Sequence, residues 1–208
     1  MPSENEYLES LVSRSRSYAG IGSRLTPAYA LSLIEGVAAM LGDKGILLRS
    51  GGAQGADTAF EWGCCQTHGR KEIFLPWRNY NGSRSPLFMP SGEAEEIASH
   101  CHPNWGACTS IARRFHARNC QQILGQHLDD PVDFVVFWAH ERNGVVGGGT
   151  ATAVHLARRL KIPTFNLRCL RTFRQWSLLA GTYLAFGHPV GNHPFSFLHR
   201  VLRHPPGP

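Results

Sequence analysis

The sequence predicts a single Rossmann-like α/β domain, with a mostly parallel sheet and helices on both faces. Three observations carry that expectation. Short apolar runs alternate along the chain with segments of helical period, the rhythm of βαβ units. The run Val132-Asp133-Phe134-Val135-Val136-Phe137-Trp138 is almost unbroken in its apolarity, as a strand covered on both faces must be. Glycine-rich segments stand where several of these runs end.

Taken in order, Ser17–Gly22 reads as a short buried strand ending on glycines. Thr26-Pro27 supplies an N-cap and a first helical residue for the apolar-periodic run Ala28–Leu41, and Gly42–Gly45 breaks that helix. Ile46–Ser50 is the second strand, and Gly51–Asp57 opens a helix reaching about His68. Glu72–Leu75 is a third strand, stopped by Pro76. Trp77–Pro90 lacks any apolar period and reads as a long loop. Ser91 caps a helix over Glu93–His102, and a longer helix covers Ser110–Leu124. After the strand at Val132–Trp138, a loop runs to Gly149. A helix over Thr150–Leu160 and a last strand over Ile162–Leu167 complete the pattern. Residues 1–15 are expected to be a flexible N-terminal arm, 16–168 the Rossmann-like domain, and 169–208 a C-terminal helix (Thr172–Ala185) with a Pro- and His-rich tail. The aromatics Phe186, Phe195 and Phe197 in that tail suggest docking on the core or on a second subunit.

At 208 residues, 42% hydrophobic and 17% charged, the chain is long enough for one real core and too apolar for wholesale disorder. No apolar run approaches the roughly 20 residues needed to cross a bilayer, and the start is polar and acidic, so a cytoplasmic protein without a membrane partner is expected. The net charge of +6 comes mostly from arginine. Arginine's planar fork pairs with phosphate oxygens, so the balance points to phosphorylated ligands or nucleic acid, while a simply basic surface remains the alternative. The six cysteines show no paired CxxC spacing, which favours free thiols. Cys64, Cys65 and His68 could meet His100, Cys101 and His102 around zinc, but tight ligand pairs are missing, and neither a metal nor a cofactor is expected.

In a parallel sheet, ligands sit beyond the carboxyl ends of the strands. Three glycine turns are predicted at that edge. Gly20-Ile21-Gly22-Ser23-Arg24 permits close approach of backbone, and Ser23 and Arg24 can donate to an anion. Ser50-Gly51-Gly52-Ala53-Gln54-Gly55-Ala56-Asp57 feeds a helix start whose N–H groups favour phosphate, and Gly147-Gly148-Gly149-Thr150 repeats the device. Each could instead serve only tight packing; three on one edge favour a ligand. There is no GxxxxGK[ST] motif, and Leu25 stands where a dinucleotide fingerprint needs its third glycine, which argues against a triphosphatase and ordinary dinucleotide binding. On the basic helix, Arg118 and Asn119 are the pair expected to reach the ligand; Arg113 and Arg114 could equally form a solvated face. Trp77 and Tyr80 are candidates for stacking on a base or for anchoring the loop, and His140 and Glu141 lie at the same edge as possible acid or base.

Tyr18–Pro27 together with Leu48–Asp57 resembles the SLOG superfamily of Rossmann-like domains, which joins the DNA-processing protein A family and the Lonely Guy phosphoribohydrolases. The resemblance spans about Tyr18–Leu167, includes His116–Asn119, Leu124-Gly125 and Gly148–Thr150, and is nearest to small DprA-like proteins of phages and prophages. It implies a nucleotide-type ligand held by Gly20, Gly22, Ser23, Arg24, Ser50, Gly51, Gly52, Ala53, Gly55, Asp57, Arg118, Asn119, Gly148, Gly149 and Thr150, and a homo-oligomer. Lonely Guy enzymes cleave the N-glycosidic bond of a nucleoside monophosphate with an arginine and a glutamate. Arg118 can be matched to the arginine, whereas Ala153 occupies the glutamate position of their PGGxGTxxE motif. An oxocarbenium-like transition state needs a nearby carboxylate. Glu141 or Asp57 could replace it, and Asp57 could equally be a helix-start cap. Three functions therefore stand: nucleotide binding, nucleoside-monophosphate hydrolysis, and single-stranded DNA binding of the DprA type.

Overall fold

Five parallel strands in the order β3-β2-β1-β4-β7 form the central sheet: β1 (Ser17–Gly22), β2 (Leu47–Ser50), β3 (Lys71–Ile73), β4 (Phe134–Trp138) and β7 (Thr164–Asn166). The computed structural model describes residues 3–186. Strand alternation divides two cores. Tyr18, Leu48, Phe134, Val136 and Trp138 face α1 (Glu4–Arg14), α2 (Ala28–Asp43), α3 (Ala56–Gln66) and α7 (Leu170–Phe186). Ala19, Ile21, Val135 and Phe137 face α4 (Gly92–Cys101), α5 (Ser110–Leu124) and α6 (Ala151–Arg159). Both faces of β4 are thus buried, as its sequence demands. No helix among the described residues is long and apolar enough to cross a membrane.

The order of the strands positions the site. From β1 the chain winds outward to β2 and β3 on one side, then crosses back so that β4 pairs with the other side of β1. The carboxyl ends of β1 and β4 therefore border the point where the winding reverses, and a crevice opens there.

Two expectations need correction. The N-terminal arm is a helix from residue 4 to 14. Ser3 caps it, its hydroxyl accepting from the Glu6 N–H at 3.3 Å while the Glu6 carboxylate accepts from the Ser3 N–H at 2.5 Å. Leu8, Leu11 and Val12 are buried, and Glu4 accepts from Arg171 at 2.7 Å and from Gln175 at 2.8 Å on α7. The expected loop before Gly149 contains an antiparallel hairpin, β5 (Glu141–Arg142) and β6 (Val145–Val146). Its turn residues Asn143 and Gly144 both have positive φ, 51° and 77°, the geometry that Asn-Gly favours between strands. The Pro- and His-rich tail, with Phe195 and Phe197, lies outside the described residues, as does the side chain of Phe186.

Candidate functional site

A cleft of about 640 Å³ occupies the crevice beyond β1 and β4, a size suited to a small-molecule ligand. Its floor comes from Ile21 and Gly22 at the end of β1 and from Ala139 and His140 after β4. Ser23, Arg24, Ala53 and Asp57 form one wall, Gly147–Thr150 another, and α5 closes the third side. Helical spacing explains that last contribution: Phe115, Arg118, Asn119 and Gln122 recur three and four residues apart on one face.

Asp57 is the internal brace of the site. Its Oδ1 accepts from the Gly22 N–H at 3.0 Å, and its Oδ2 accepts from the Ala53 N–H at 3.4 Å and from Arg118 Nη1 at 3.3 Å. One buried carboxylate thus ties the turn after β1, the turn before α3 and helix α5 together. Burial pushes the Asp57 carboxyl above its ordinary range; Arg118 and the two backbone N–H groups pull the other way. Burial likewise lowers the affinity of Arg118 for its proton, countered by Asp57, and the guanidinium remains the charged partner. Gln122 completes the brace: with its amide oxygen towards Arg118 and Gly51 it accepts from Nη1 at 2.8 Å and from the Gly51 N–H at 2.9 Å. Arg118 Nε is buried with no hydrogen-bond partner among the described residues.

Glycine at position 51 is what gives Arg118 its place, since a Cβ there would fall 1.3 Å from Nη1. At Gly55 a positive φ of 84° combines with a Cβ position 2.6 Å from the Ser23 carbonyl oxygen. Gly20, Ser50, Gly51, Gly52 and Gly55 do not line the cleft; they let the turns behind it close up, with Ser50 Oγ donating to the Gly20 carbonyl at 2.6 Å. Gly22, Ser23, Arg24, Ala53, Asp57, Arg118, Asn119, Gly148, Gly149 and Thr150 do line it. Because Asp57 sits in the first turn of α3, a carboxylate already occupies the helix start expected to cradle an anion. At α6 no acidic residue stands in the first turn and Thr150 makes no side-chain cap, while the Ala151 N–H donates to the Gly148 carbonyl at 3.2 Å. Asn119 steadies the approach to it, Nδ2 donating to the Gly149 carbonyl at 2.6 Å.

Glu141 is not part of the wall. Its carboxylate is paired with Arg158 at 2.8 Å and accepts from Asn166 Nδ2 at 2.9 Å. Trp77 and Tyr80 pack edge-on against each other and against Phe115, and Phe115 alone of the three lines the cleft. Arg24 and Arg118 both lie over its ring, at 5.5 and 5.8 Å. Of the other arginines on α5, Arg113 covers the Trp105 ring and Arg114 is exposed. Phe115 and Gln122 are not singled out by sequence, and His116 enters there only within the His116–Asn119 segment; the i, i+3, i+4, i+7 pattern around Arg118 and Asn119 is the available signal.

Comparison with protein-family models, curated proteins and solved structures finds no match to this chain. The site therefore stands on its own geometry.

The six cysteines are free, and the group suggested for zinc by sequence does not assemble. Cys64 Sγ contacts the Arg70 carbonyl and Cys65 pairs with Lys71, whereas Cys101 lies beside Arg159. His102 instead meets Cys108 and His116. Burial, with His102 and Arg118 beside it, pushes the His116 imidazole down to about 4.

Proposed function

We propose that this chain binds a nucleotide, or a phosphorylated small molecule derived from one, in the cleft at the β1–β4 switch point, and so senses, sequesters or modifies it. The observation that carries the reading is convergence. The turn after β1, the uncapped start of α6 and the buried Arg118 guanidinium all border one cavity of ligand size. The phosphate belongs at the α6 start, where Gly148, Gly149 and Thr150 offer backbone and Arg118, its charge shared with Asp57, is held in one rotamer with Nε left to donate. Phe115 and Arg24 offer a flat apolar and cationic surface for a base. The likeness of the glycine segments to the SLOG superfamily supports the same reading.

Binding is favoured over hydrolysis because the carboxylates are engaged. Asp57 is consumed by Arg118 and two backbone donors, Glu141 by Arg158 and Asn166, and Ala153 stands at the matched glutamate position. The test is a thermal-shift screen of the full chain against nucleoside mono-, di- and cyclic phosphates and ADP-ribose compounds. A ligand at 100 times its Kd should add about 2.7 kcal/mol, a rise in Tm of roughly 5–10 °C for a chain of this size. No stabilisation by any of them sinks the reading. Release of free base during incubation would restore the hydrolase, and tight single-stranded DNA binding without any small-molecule effect would favour the DprA-type alternative.

A further inference from the structure

The connection from α4 to α5 gathers three side chains that the brace around Asp57 does not use. His102 follows the last turn of α4, Cys108 closes the short 3-10 turn Trp105–Ala107, and His116 comes from the second turn of α5. One donor atom from each lies within 4.8 Å of the other two. Cys108 Sγ is 3.6 Å from His102 Nδ1, and the two imidazole centroids are 4.4 Å apart with their planes tilted by 51°. A tetrahedral zinc ion, bonded at about 2.0–2.1 Å to nitrogen and about 2.3 Å to sulfur, holds such atoms roughly 3.3–3.6 Å apart. The sulfur–nitrogen pair already stands at that spacing, and the remaining distances need to contract by no more than about 1.5 Å.

We infer that His102, Cys108 and His116 form a zinc-class metal site with three protein ligands and one coordination position left for water or an added ligand. The arrangement behind the ligands supports it. His116 Nδ1 is bonded at 2.8 Å to the hydroxyl of Thr152, a residue only 1% exposed, which leaves Nε2 for the ion. Metal-binding imidazoles are held in this way, by a partner on the other ring nitrogen that sets orientation and tautomer. His102 Nδ1 accepts a long contact, 3.3 Å, from the Asn104 N–H and lies 3.6 Å from Cys108 Sγ, contacts that a metal bond would replace. Two imidazoles and a thiolate select zinc or cobalt over magnesium or calcium. On binding, the Cys108 S–H proton leaves to solvent as the sulfur–metal bond forms. Among the described residues no fourth His, Cys, Asp or Glu joins the group, so the fourth position is open. His116 also lines the cleft, which places the ion beside the proposed nucleotide site without depending on it.

The test uses the full chain, purified without a histidine tag under reducing conditions and loaded with zinc or cobalt chloride. After gel filtration, elemental analysis should give about one zinc per chain, and cobalt should produce a thiolate charge-transfer band with the d–d absorption of a tetrahedral ion. C108S and H116Q should lose at least about tenfold in affinity, while C65S, far from the group, keeps wild-type binding. Should C108S fail to fold, the wild-type cobalt titration decides by itself, since one thiolate per bound ion is required. Binding of less than a tenth of an equivalent, a cobalt spectrum without thiolate character, or unchanged binding by folded C108S overturns the site. Nucleotide binding is read separately by thermal shift, so either proposal can fail while the other stands.

Discussion

At the scale of single residues, the stakes concentrate on Asp57 and Arg118, which are 3% and 5% exposed. A buried ion pair contributes little net stability when both partners are present, because desolvation offsets attraction, yet removing one partner strands the other. D57N should therefore cost about 3–5 kcal/mol in urea denaturation and abolish ligand binding; a loss below about 1 kcal/mol would show that Arg118 finds water or another partner. Gly51 offers a gentler probe of the same pair. In G51A the new methyl occupies the place of Nη1, so Arg118 must swing away at a cost of about 1–3 kcal/mol. Calorimetry should find ligand affinity down at least about tenfold. Unchanged affinity would show that the guanidinium does not meet the ligand.

Individual elements carry predictions of their own. The first helix was not expected, although Ser3 and Glu6 have the spacing of a capping box. S3A should cost about 1 kcal/mol, read as a lowered urea midpoint; no change would mean that burial of Leu8, Leu11 and Val12 holds the helix alone. The β5–β6 hairpin sets the position of the Gly147–Thr150 turn, since the Gly147 N–H donates to the His140 carbonyl at 3.1 Å. Glu141 fastens the hairpin to α6 and β7. Burial alone would raise its pKa, but the hydrogen bonds from Asn166 and Arg158 outweigh burial and hold it low. A depressed carboxylate contributes stability that is present above its unfolded value of about 4.3 and is lost as pH falls through the lower folded value. Wild type should accordingly lose a stability increment below about pH 4.3 that E141Q never has, so their melting curves converge in acid. Curves that stay parallel down to the lowest pH tolerated would remove Glu141 from that role.

Across the whole molecule, the +6 charge and the ligand-sized cleft favour different classes of partner, and salt separates them. A small phosphorylated ligand held by one buried arginine and a helix start should lose affinity only modestly between 50 and 200 mM salt, whereas binding along a polynucleotide through six or more phosphates should fall by about 10³-fold or more. Part of the positive charge is also committed inside the fold. Arg49, 3% exposed, pairs with Glu72 at 2.7 Å and Asp130 at 2.5 Å, so an arginine within the glycine-turn segment serves the sheet instead of a ligand.

What could be read without coordinates was whatever depends on neighbours along the chain. Alternation and apolar period located β1, α2, α5 and β4 almost to the residue, and the glycines marked where strands end. The capping box before α1 and the Asn-Gly of the hairpin are equally local signals, yet the first segment reads as a flexible arm and the second as a loop until the structure shows otherwise. Tertiary structure alone decided which of the glycine turns touch the cleft. Arg118, 61 positions after Asp57, folds back onto its carboxylate at the start of α3, whereas α6 has no acidic residue in its first turn. Glu141 likewise left the wall because α6 and β7 brought Arg158 and Asn166 to it. Such pairings are set by the winding of the sheet around β1 and β4, which period and turn chemistry can imply but cannot measure.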